Sequence, residues 1–163
     1  MTLSPPEYFM RIQDEAKKRW GIPEIADRLS DKGKAVLVEH TERQALLTDC
    51  MTMCKNIGLS MDVLDFEFAS DLLISGTGLE FTQERIKKSL LGVIDADRRL
   101  NISFGMDASM DTLPKRFTHE PLDHGPSKGQ VVPVDGMVKD YYRLRGWDDQ
   151  GRPPGTKDQG QRP

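Results

Sequence analysis

The sequence predicts an all-α fold: a helical bundle-like domain, then a long irregular C-terminal segment that wraps around it and a short final helix. Two observations carry this prediction. Up to Asn101, apolar residues recur at the three- and four-residue spacing of amphipathic helices, between residues that favour helix starts and ends. Beyond Asn101 the spacing weakens and turn-forming residues dominate.

The first predicted helix begins at the capping box S-P-P-E. Ser4 stands at the N-cap, Pro5 at the first helical position and Glu7 at the third, so backbone donors at the helix start are satisfied. Gly21, followed closely by Pro23, should end the helix. Its apolar side is formed by four residues: Tyr8, Phe9, Ile12 and Ala16.

The second predicted helix runs from about Lys34 to Asn56. Either Ser30 or Asp31 can cap its start, because short oxygen-bearing side chains accept from free backbone amides there. Gly58 marks its end. The helix is polar in its first half and apolar in its second half.

Two further helices follow the same rules. The third spans about Met61–Ser75, with Ser60 as its cap and Gly76 as its terminator. The fourth begins at Thr82 and continues to about Asn101. Its apolar residues stand at helical spacing: Ile86, Leu90, Val93 and Ile94.

The C-terminal part lacks a sustained period. Residues 102–130 are rich in Gly, Pro, Asp and Ser, which indicates turns. The tetrapeptide V-V-P-V reads as extended, because Pro133 biases the residue before it away from helix. Asp135 then caps a short helix, Met137–Arg145, which Gly146 ends. An irregular segment of this length usually packs on other structure or carries function.

The domain organisation follows from this pattern. Residues 1–147 are predicted to form one helical domain, and residues 148–163 a disordered polar tail rich in Pro and Gly. A chain of 163 residues is long enough to bury a substantial core.

Composition excludes several partner classes. The net charge is -3 and charged residues make up 30% of the chain, so there is no basic field for nucleic acid or an anionic membrane. No apolar run approaches the roughly 18 residues of a membrane span. The first ten residues lack the basic and apolar regions of a signal peptide. With two cysteines, the chain is no disulfide scaffold, and we expect a reducing, cytoplasmic location.

Both cysteines lie in the stretch T-D-C-M-T-M-C-K-N, four residues apart. In a helix, the Cβ atoms of Cys50 and Cys54 would be about 5–6 Å apart. A disulfide requires about 3.8 Å, so the pair favours two reduced thiols. Two thiolates supply half of a tetrahedral metal site, but the three histidines lack recognisable ligand spacing: His40, His119 and His124. The residues alone favour two small core side chains over a metal site or a redox pair.

Asp49 is the only charged residue between Gln44 and Cys54. A carboxylate among apolar residues is costly to bury unless it is paired or hydrogen-bonded. On pattern alone, Asp49 either faces solvent or accepts hydrogen bonds from a neighbouring helix.

Three separate stretches, in order, resemble the C-terminal region of the tungsten-containing aldehyde ferredoxin oxidoreductase family. S-P-P-E-Y-F-M-R-I-Q-D-E-A-K-K-R-W-G-I-P-E is similar to the family's segment leading into its last helical domain. D-K-G-K-A-V-L-V-E-H-T-E-R-Q-A-L-L-T-D-C-M-T-M-C-K resembles a family helix that ends in an Asp-x-x-x-Leu-Cys motif. The third runs from D-T-L-P-K-R-F to Y-Y-R-L-R-G-W-D-D-Q-G-R-P and is similar to the family's closing stretch. The likeness extends from about Ser4 to Pro153.

The resemblance implies roles for residues at matching positions. The family's Asp-x-x-x-Leu-Cys motif falls on Asp49, Met53 and Cys54. The cysteine is the last of four ligands to a [4Fe-4S] cluster in that family, and the aspartate binds the pterin that holds the metal. The resemblance therefore implies that Cys54 is a cluster ligand and that Asp49 and Met53 contact the pterin. Cys50 has no counterpart in the motif and is expected to be a small core residue.

The implied activity belongs to a larger assembly. In the family, aldehydes or related substrates are oxidised at a tungsten (or molybdenum) bis-pterin centre. Electrons leave through the [4Fe-4S] cluster to ferredoxin or a partner subunit. The family's other cluster cysteines lie upstream, in a Cys-x-x-Cys-x-x-x-Cys segment that this sequence lacks. We therefore expect a part of an enzyme that needs the N-terminal domains: either the tail of a split enzyme, with those domains on a separate chain, or a truncated or fragmentary copy.

Two rival interpretations make different predictions. A non-enzymatic helical remnant or protein-interaction domain would expose an apolar patch of four residues: Leu46, Leu47, Met51 and Met53. A two-thiol redox or metal module would need Cys50 as much as Cys54.

Overall fold

The computed structural model describes residues 14, 16–55, 58 and 64–156, and in these the fold is all-α, as the sequence predicts. No strand occurs within these ranges. Two short 3-10 turns, Pro23–Ala26 and Ala108–Met110, lie between the helices. The α-helices are α1 (Lys34–Cys50), α2 (Phe66–Thr77), α3 (Gln83–Ser103), α4 (Lys115–Thr118) and α5 (Val134–Arg145). Within the described part of the chain, no helix is long and apolar enough to cross a membrane.

The chain divides into two compact units. One combines Met1–Leu37 with Asp107–Gly151, and the other combines Val38–Met106 with Arg152–Pro163. The division falls inside α1, after Leu37. The candidate site residues Asp49, Met53 and Cys54 therefore all belong to the second unit.

The described part of the first unit begins with helical residues 16–20. This helix ends at Gly21, as predicted: the Gly21 amide donates to the Lys17 carbonyl at 2.9 Å, and the glycine has a φ of 69°. The predicted capping box at Ser4 lies outside the described residues. The Lys34 ammonium then ties down the start of α1 by donating to the carbonyls of Ile25 and Asp27, each at 2.7 Å. Burial lowers the pKa of Lys34, while the charge of Asp27 opposes that shift.

Helix α5 closes the first unit. It ends at Gly146 as predicted, but it begins at Val134 rather than Met137, with Pro133 as its N-cap and Asp135 in its first turn. The predicted start was wrong because a proline restricts the residue before it and leaves the residue after it free to begin a helix. The buried Tyr142 hydroxyl donates to the Asp111 carboxylate and so fixes α5 to the preceding loop.

The second unit contains the main apolar core. Its buried residues come from α1, the segment before α2, and helices α2 and α3: Leu47, Leu64, Ala69, Ile86 and Leu90. Six partly buried side chains pack against them: Leu46, Met51, Met53, Phe66, Leu73 and Phe81. The core therefore lies directly beneath the C-terminal end of α1, where the candidate site residues stand.

Caps decide the bounds of α2 and α3. Helix α3 begins at Gln83, one residue after the predicted start, and Thr82 is its N-cap, whose hydroxyl accepts from the Arg85 amide at 3.2 Å. Helix α2 begins later than predicted, because the Asp65 carboxylate accepts from the Phe68 amide at 2.7 Å. It also ends later, at Gly78, whose φ is 70°. The predicted terminator of α2, Gly76, and the predicted end at Ser75 both lie inside the helix.

The segment predicted to be a disordered tail is partly described. Pro153 is fully buried, and the Arg99 guanidinium donates to the Pro154 carbonyl at 2.9 Å. These contacts fix residues 153–154 on the end of α3. Residues 157–163 lie outside the described residues, and the predicted domain boundary after residue 147 stays a prediction.

Candidate functional site

The candidate site residues lie where α1 ends. The helix ends at Cys50, six residues before the predicted end at Asn56. Cys50 is thus the last helical residue, and Cys54 lies beyond it in non-helical backbone. The predicted placement of both cysteines on one helix was wrong.

A pair of reversed hydrogen bonds ends α1. The Met53 amide donates to the Thr48 carbonyl at 3.0 Å, and the Thr52 amide donates to the Asp49 carbonyl at 3.0 Å. This is the Schellman arrangement, in which the first of the two donor residues along the chain takes up the left-handed conformation. Thr52 takes up that conformation with a φ of 55°. A β-branched residue is unfavourable there, so the turn stores backbone strain.

Side chains in and next to this turn alternate between buried and exposed positions. Met51 and Met53 are partly buried and pack on the core, while Thr52 and Cys54 are exposed. The Gly58 amide donates to the Cys54 carbonyl at 2.9 Å. The two methionines before Cys54 and this hydrogen bond after it hold the backbone at Cys54 while its thiol faces outward.

Both cysteines are exposed, free thiols. The expectation that Cys50 is a core residue was wrong. In the last turns of α1 the core takes up Leu47 and Thr48, which are fully buried. Cys50, two residues further along, turns to the outer side of the helix.

Asp49 is half exposed and forms an ion pair with Lys55. The Asp49 Oδ2 lies 3.1 Å from the Lys55 Nζ, and the two side chains are 51% and 58% exposed. Of the two alternatives left open by the sequence, Asp49 faces solvent. Because an ion pair this exposed contributes little stability, the carboxylate can exchange Lys55 for another donor at small cost.

Close packing supports this helix end from below. The buried Thr48 hydroxyl donates to the Gln44 carbonyl at 2.9 Å, and the Gln44 amide donates to the Leu64 carbonyl. A Cβ added at Gly58 would lie 2.6 Å from the Cγ2 atom of Thr48. Gly58 therefore lies tightly against α1, at a position where only glycine fits.

The described residues contain no group of three or more His, Cys, Asp or Glu side chains that could hold a metal ion. His124 contacts Asp123, and His119 contacts the Thr118 hydroxyl at 2.6 Å. The two-thiol metal module therefore finds no further ligand set in this part of the chain. A metal or cluster bound at Cys54 would need ligands from other residues.

The apolar patch predicted by the remnant interpretation does not form. Leu47 is fully buried, and Leu46, Met51 and Met53 pack against the core. These four residues form part of the core of the second unit instead of an exposed surface.

Two residues of this site were missed by the sequence analysis. The first is Lys55, directly after Cys54, which pairs with Asp49. The sequence signal for this ion pair was that Lys55 is a cation six residues after Asp49, the only acidic residue of the apolar stretch. Thr52 carried no signal, because threonine is rare in left-handed backbone.

We expect Thr52→Gly to raise the free energy of unfolding by about 1 kcal/mol, because glycine adopts the left-handed conformation without strain. Thr41→Gly is the matched control, since Thr41 is an exposed residue inside α1. There the same change should lower the stability by about 1 kcal/mol or less. Urea unfolding followed by circular dichroism measures both, and a destabilised Thr52→Gly would contradict the assigned turn.

Comparisons with known proteins give the family of this chain. A family model described as "Aldehyde ferredoxin oxidoreductase, domains 2 & 3" matches residues 5–159. Proteins named tungsten-containing aldehyde ferredoxin oxidoreductase from Thermococcus kodakarensis and Pyrococcus furiosus are each 35% identical over 130 residues, 79% of this chain. The protein of the same name from Pyrococcus horikoshii is 40% identical over 89 residues, 54% of this chain. The chain spans only 21% of the length of the first two relatives and 15% of the third.

Proposed function

This chain belongs to the aldehyde ferredoxin oxidoreductase family and corresponds to its C-terminal domain, and from that premise we propose that Cys54 ligates a [4Fe-4S] cluster and Asp49 contacts a metal-binding pterin. The observation that carries the proposal is the arrangement at the end of α1. An outward-facing carboxylate in the last turn of α1 and an outward-facing thiol after it stand on either side of the turn that ends the helix, above a packed core.

Cys54 fits the role of a shared cluster ligand. Its thiol is free and exposed, so a cluster held by other residues can reach it. Its backbone is held by the packing of Met53 and by the Gly58 amide, so its position requires little ordering on binding. A thiolate is the ligand that iron–sulfur clusters require.

Asp49 fits the role of a pterin contact. Its carboxylate only accepts hydrogen bonds, and a pterin ring presents polar N–H groups to such an acceptor. Lys55 balances its charge at 3.1 Å in an exposed pair that solvent weakens. Donors of the pterin can therefore replace Lys55 at the carboxylate.

Met53 would act mainly through its backbone. Its side chain packs on the core, and its amide is engaged by the Thr48 carbonyl at 3.0 Å. The Met53 side chain thus points away from any ligand that Asp49 and Cys54 share. Methionine and the family's leucine have similar volumes, so this packing role tolerates the exchange.

The activity itself would belong to the complete enzyme. When bound, the tungsten (or molybdenum) bis-pterin and the cluster would supply the oxidation of an aldehyde and the passage of electrons to ferredoxin or a partner subunit. Residues of this chain would hold one edge of both groups and exclude water from that edge. The other cluster ligands would come from a segment outside this sequence, because it contains only two cysteines.

Anaerobic purification of the tagged chain from its source cells tests the proposal. We expect about four iron atoms per chain, tungsten or molybdenum, and a polypeptide that carries the remaining cluster cysteines. A metal-free chain that elutes alone would overturn the proposal and would favour a helical remnant without cofactors.

A further inference from the structure

Helix α2 is apolar on two sides, and only one of them is covered within the described structure. The covered side contains Ala69 and Ser70, which are buried, and Phe66 and Leu73, which pack against the core. The second side is formed by exposed apolar residues: Phe68, Leu72 and, just after the helix, Leu79. We call these three the outer stripe.

Helical geometry separates the two sides. At roughly 100° per residue, Phe68 and Leu72 lie within about 40° of each other around the helix axis. Both point more than about 60° away from the direction of Ala69 and Leu73. The outer stripe is therefore a separate face and not the edge of the core, and its members are 47%, 46% and 57% exposed.

The acidic residues of α2 do not interrupt the outer stripe. Glu67 and Asp71 are one turn apart and define a third, narrow side of the helix, at whose edge Ile74 is also exposed. A surface helix normally presents polar residues on all of its solvent side. A helix with a single polar strip and two apolar faces is typical of one that packs between two bodies.

Helix α3 shows a similar, independent feature. Its buried residues follow a four-residue spacing from Ile86 to Ile102. Three further apolar residues are exposed: Val93 and Leu100 in the helix, and Phe104 directly after it. Phe104 is 82% exposed, an unusual position for a large aromatic side chain.

We propose that the outer stripe is the surface on which the remaining part of the aldehyde ferredoxin oxidoreductase polypeptide docks. This chain matches only 21% of the length of the relatives from Thermococcus kodakarensis and Pyrococcus furiosus, so about four-fifths of each relative lies outside the matched part. The unmatched part of these relatives is therefore the polypeptide that we expect to cover the outer stripe. An apolar face is typical of a permanent contact. The inference rests on the proposed function, because it assumes that the upstream polypeptide and this chain form one enzyme.

A chimera provides the test: the Thermococcus kodakarensis relative with this full chain in place of the segment it matches. Hydroxyl-radical footprinting measures the accessibility of Phe68 and Leu72 in the chimera and in the chain alone. We expect their modification to fall at least about fivefold in the chimera. Equal modification in both proteins would overturn the docking surface.

Matched variants sharpen the result. Leu72→Glu places a charge on the outer stripe, whereas Ile74→Glu makes the same change at similar exposure, 41% against 46%, on another side of α2. In the chain alone, we expect both variants to shift the unfolding midpoint by similar small amounts. In the chimera, only Leu72→Glu should lower it further, because only there would the charge be buried. Equal shifts for both variants in the chimera would contradict the proposal.

Metal content keeps this proposal separate from the proposed function. Iron and tungsten in the chimera without protection of Phe68 and Leu72 would leave the cofactor roles standing and overturn the docking surface. Protection of Phe68 and Leu72 without metal would support the docking surface while overturning the cofactor roles of Cys54 and Asp49.

Discussion

Cys54→Ser is expected to abolish the [4Fe-4S] cluster of the assembled enzyme, whereas Cys50→Ser should leave the cluster in place. A serine hydroxyl is a poor substitute for the thiolate that iron–sulfur clusters require. Both cysteines are exposed and free, so either replacement leaves the core unchanged. The two variants therefore differ in cofactor chemistry and not in folding.

The measurement uses the chain in complex with the polypeptide proposed to carry the other cluster cysteines, purified without oxygen. Iron content and the electron paramagnetic resonance signal of the reduced cluster report assembly, and aldehyde oxidation reports function. We expect cluster content to fall at least about tenfold in Cys54→Ser and to stay within about twofold of wild type in Cys50→Ser.

Circular dichroism of each variant chain provides the control for folding, and both should match the wild type. An equal loss of cluster in both variants would favour the two-thiol module in place of the family role. An intact cluster in Cys54→Ser would overturn the assignment of Cys54 as a ligand.

The helical fold could be predicted from local sequence signals: capping residues, helix-ending glycines and the helical spacing of apolar residues. Helix α3 starts next to Thr82 and α5 ends at Gly146, close to the predicted positions, because the Thr82 hydroxyl and the Gly146 amide each form a hydrogen bond within one turn. The sequence predicts Ser60 as the cap of α2, whereas the structure has Asp65; both residue types cap helices well. Leu64, directly before Asp65, is fully buried, and such burial is set by tertiary packing, which the local pattern does not display.

The end of α1 was beyond these rules. Helices tolerate all three residues that follow Cys50: Met51, Thr52 and Met53. Glycine is the usual helix terminator, and the next glycine along the chain is Gly58. The structure ends the helix at Cys50 because the turn through Thr52 brings Met53 onto the core. Burial of the Met53 side chain thus offsets the unfavourable left-handed conformation of Thr52. No local sequence pattern predicts this balance, because it depends on tertiary packing.

The site could be located by resemblance, but its surroundings could not. Asp49 and Cys54 were identified through the family motif, and their cofactor roles stay proposals. The ion pair of Asp49 with Lys55 and the exposure of Cys50 depend on how the chain turns after the helix. The apolar residues around Cys50 suggested that it is buried. The last turns of α1 bury only the side that carries Leu47 and Thr48, and Cys50 lies on the other side.

Leu47→Ala is expected to destabilise the chain by about 3–4 kcal/mol, the largest effect of any single replacement near the site. Leu47 is 1% exposed and belongs to the central core cluster with Leu64 and Leu90. Truncation removes apolar contacts and leaves a cavity, because close packing around it limits relaxation. This loss is a large fraction of the stability of a typical domain.

Leu46→Ala is the matched control, since Leu46 is the neighbouring residue of α1 and is only partly buried. Its truncation should cost about 1 kcal/mol, because part of the side chain already contacts water. Urea unfolding under reducing conditions, followed by circular dichroism, measures both variants. Equal losses would show that α1 does not bury Leu47 in preference to Leu46. Since Met51 and Met53 pack on the same cluster, a large loss at Leu47 alone would also establish that the support beneath Cys54 is the core of the second unit.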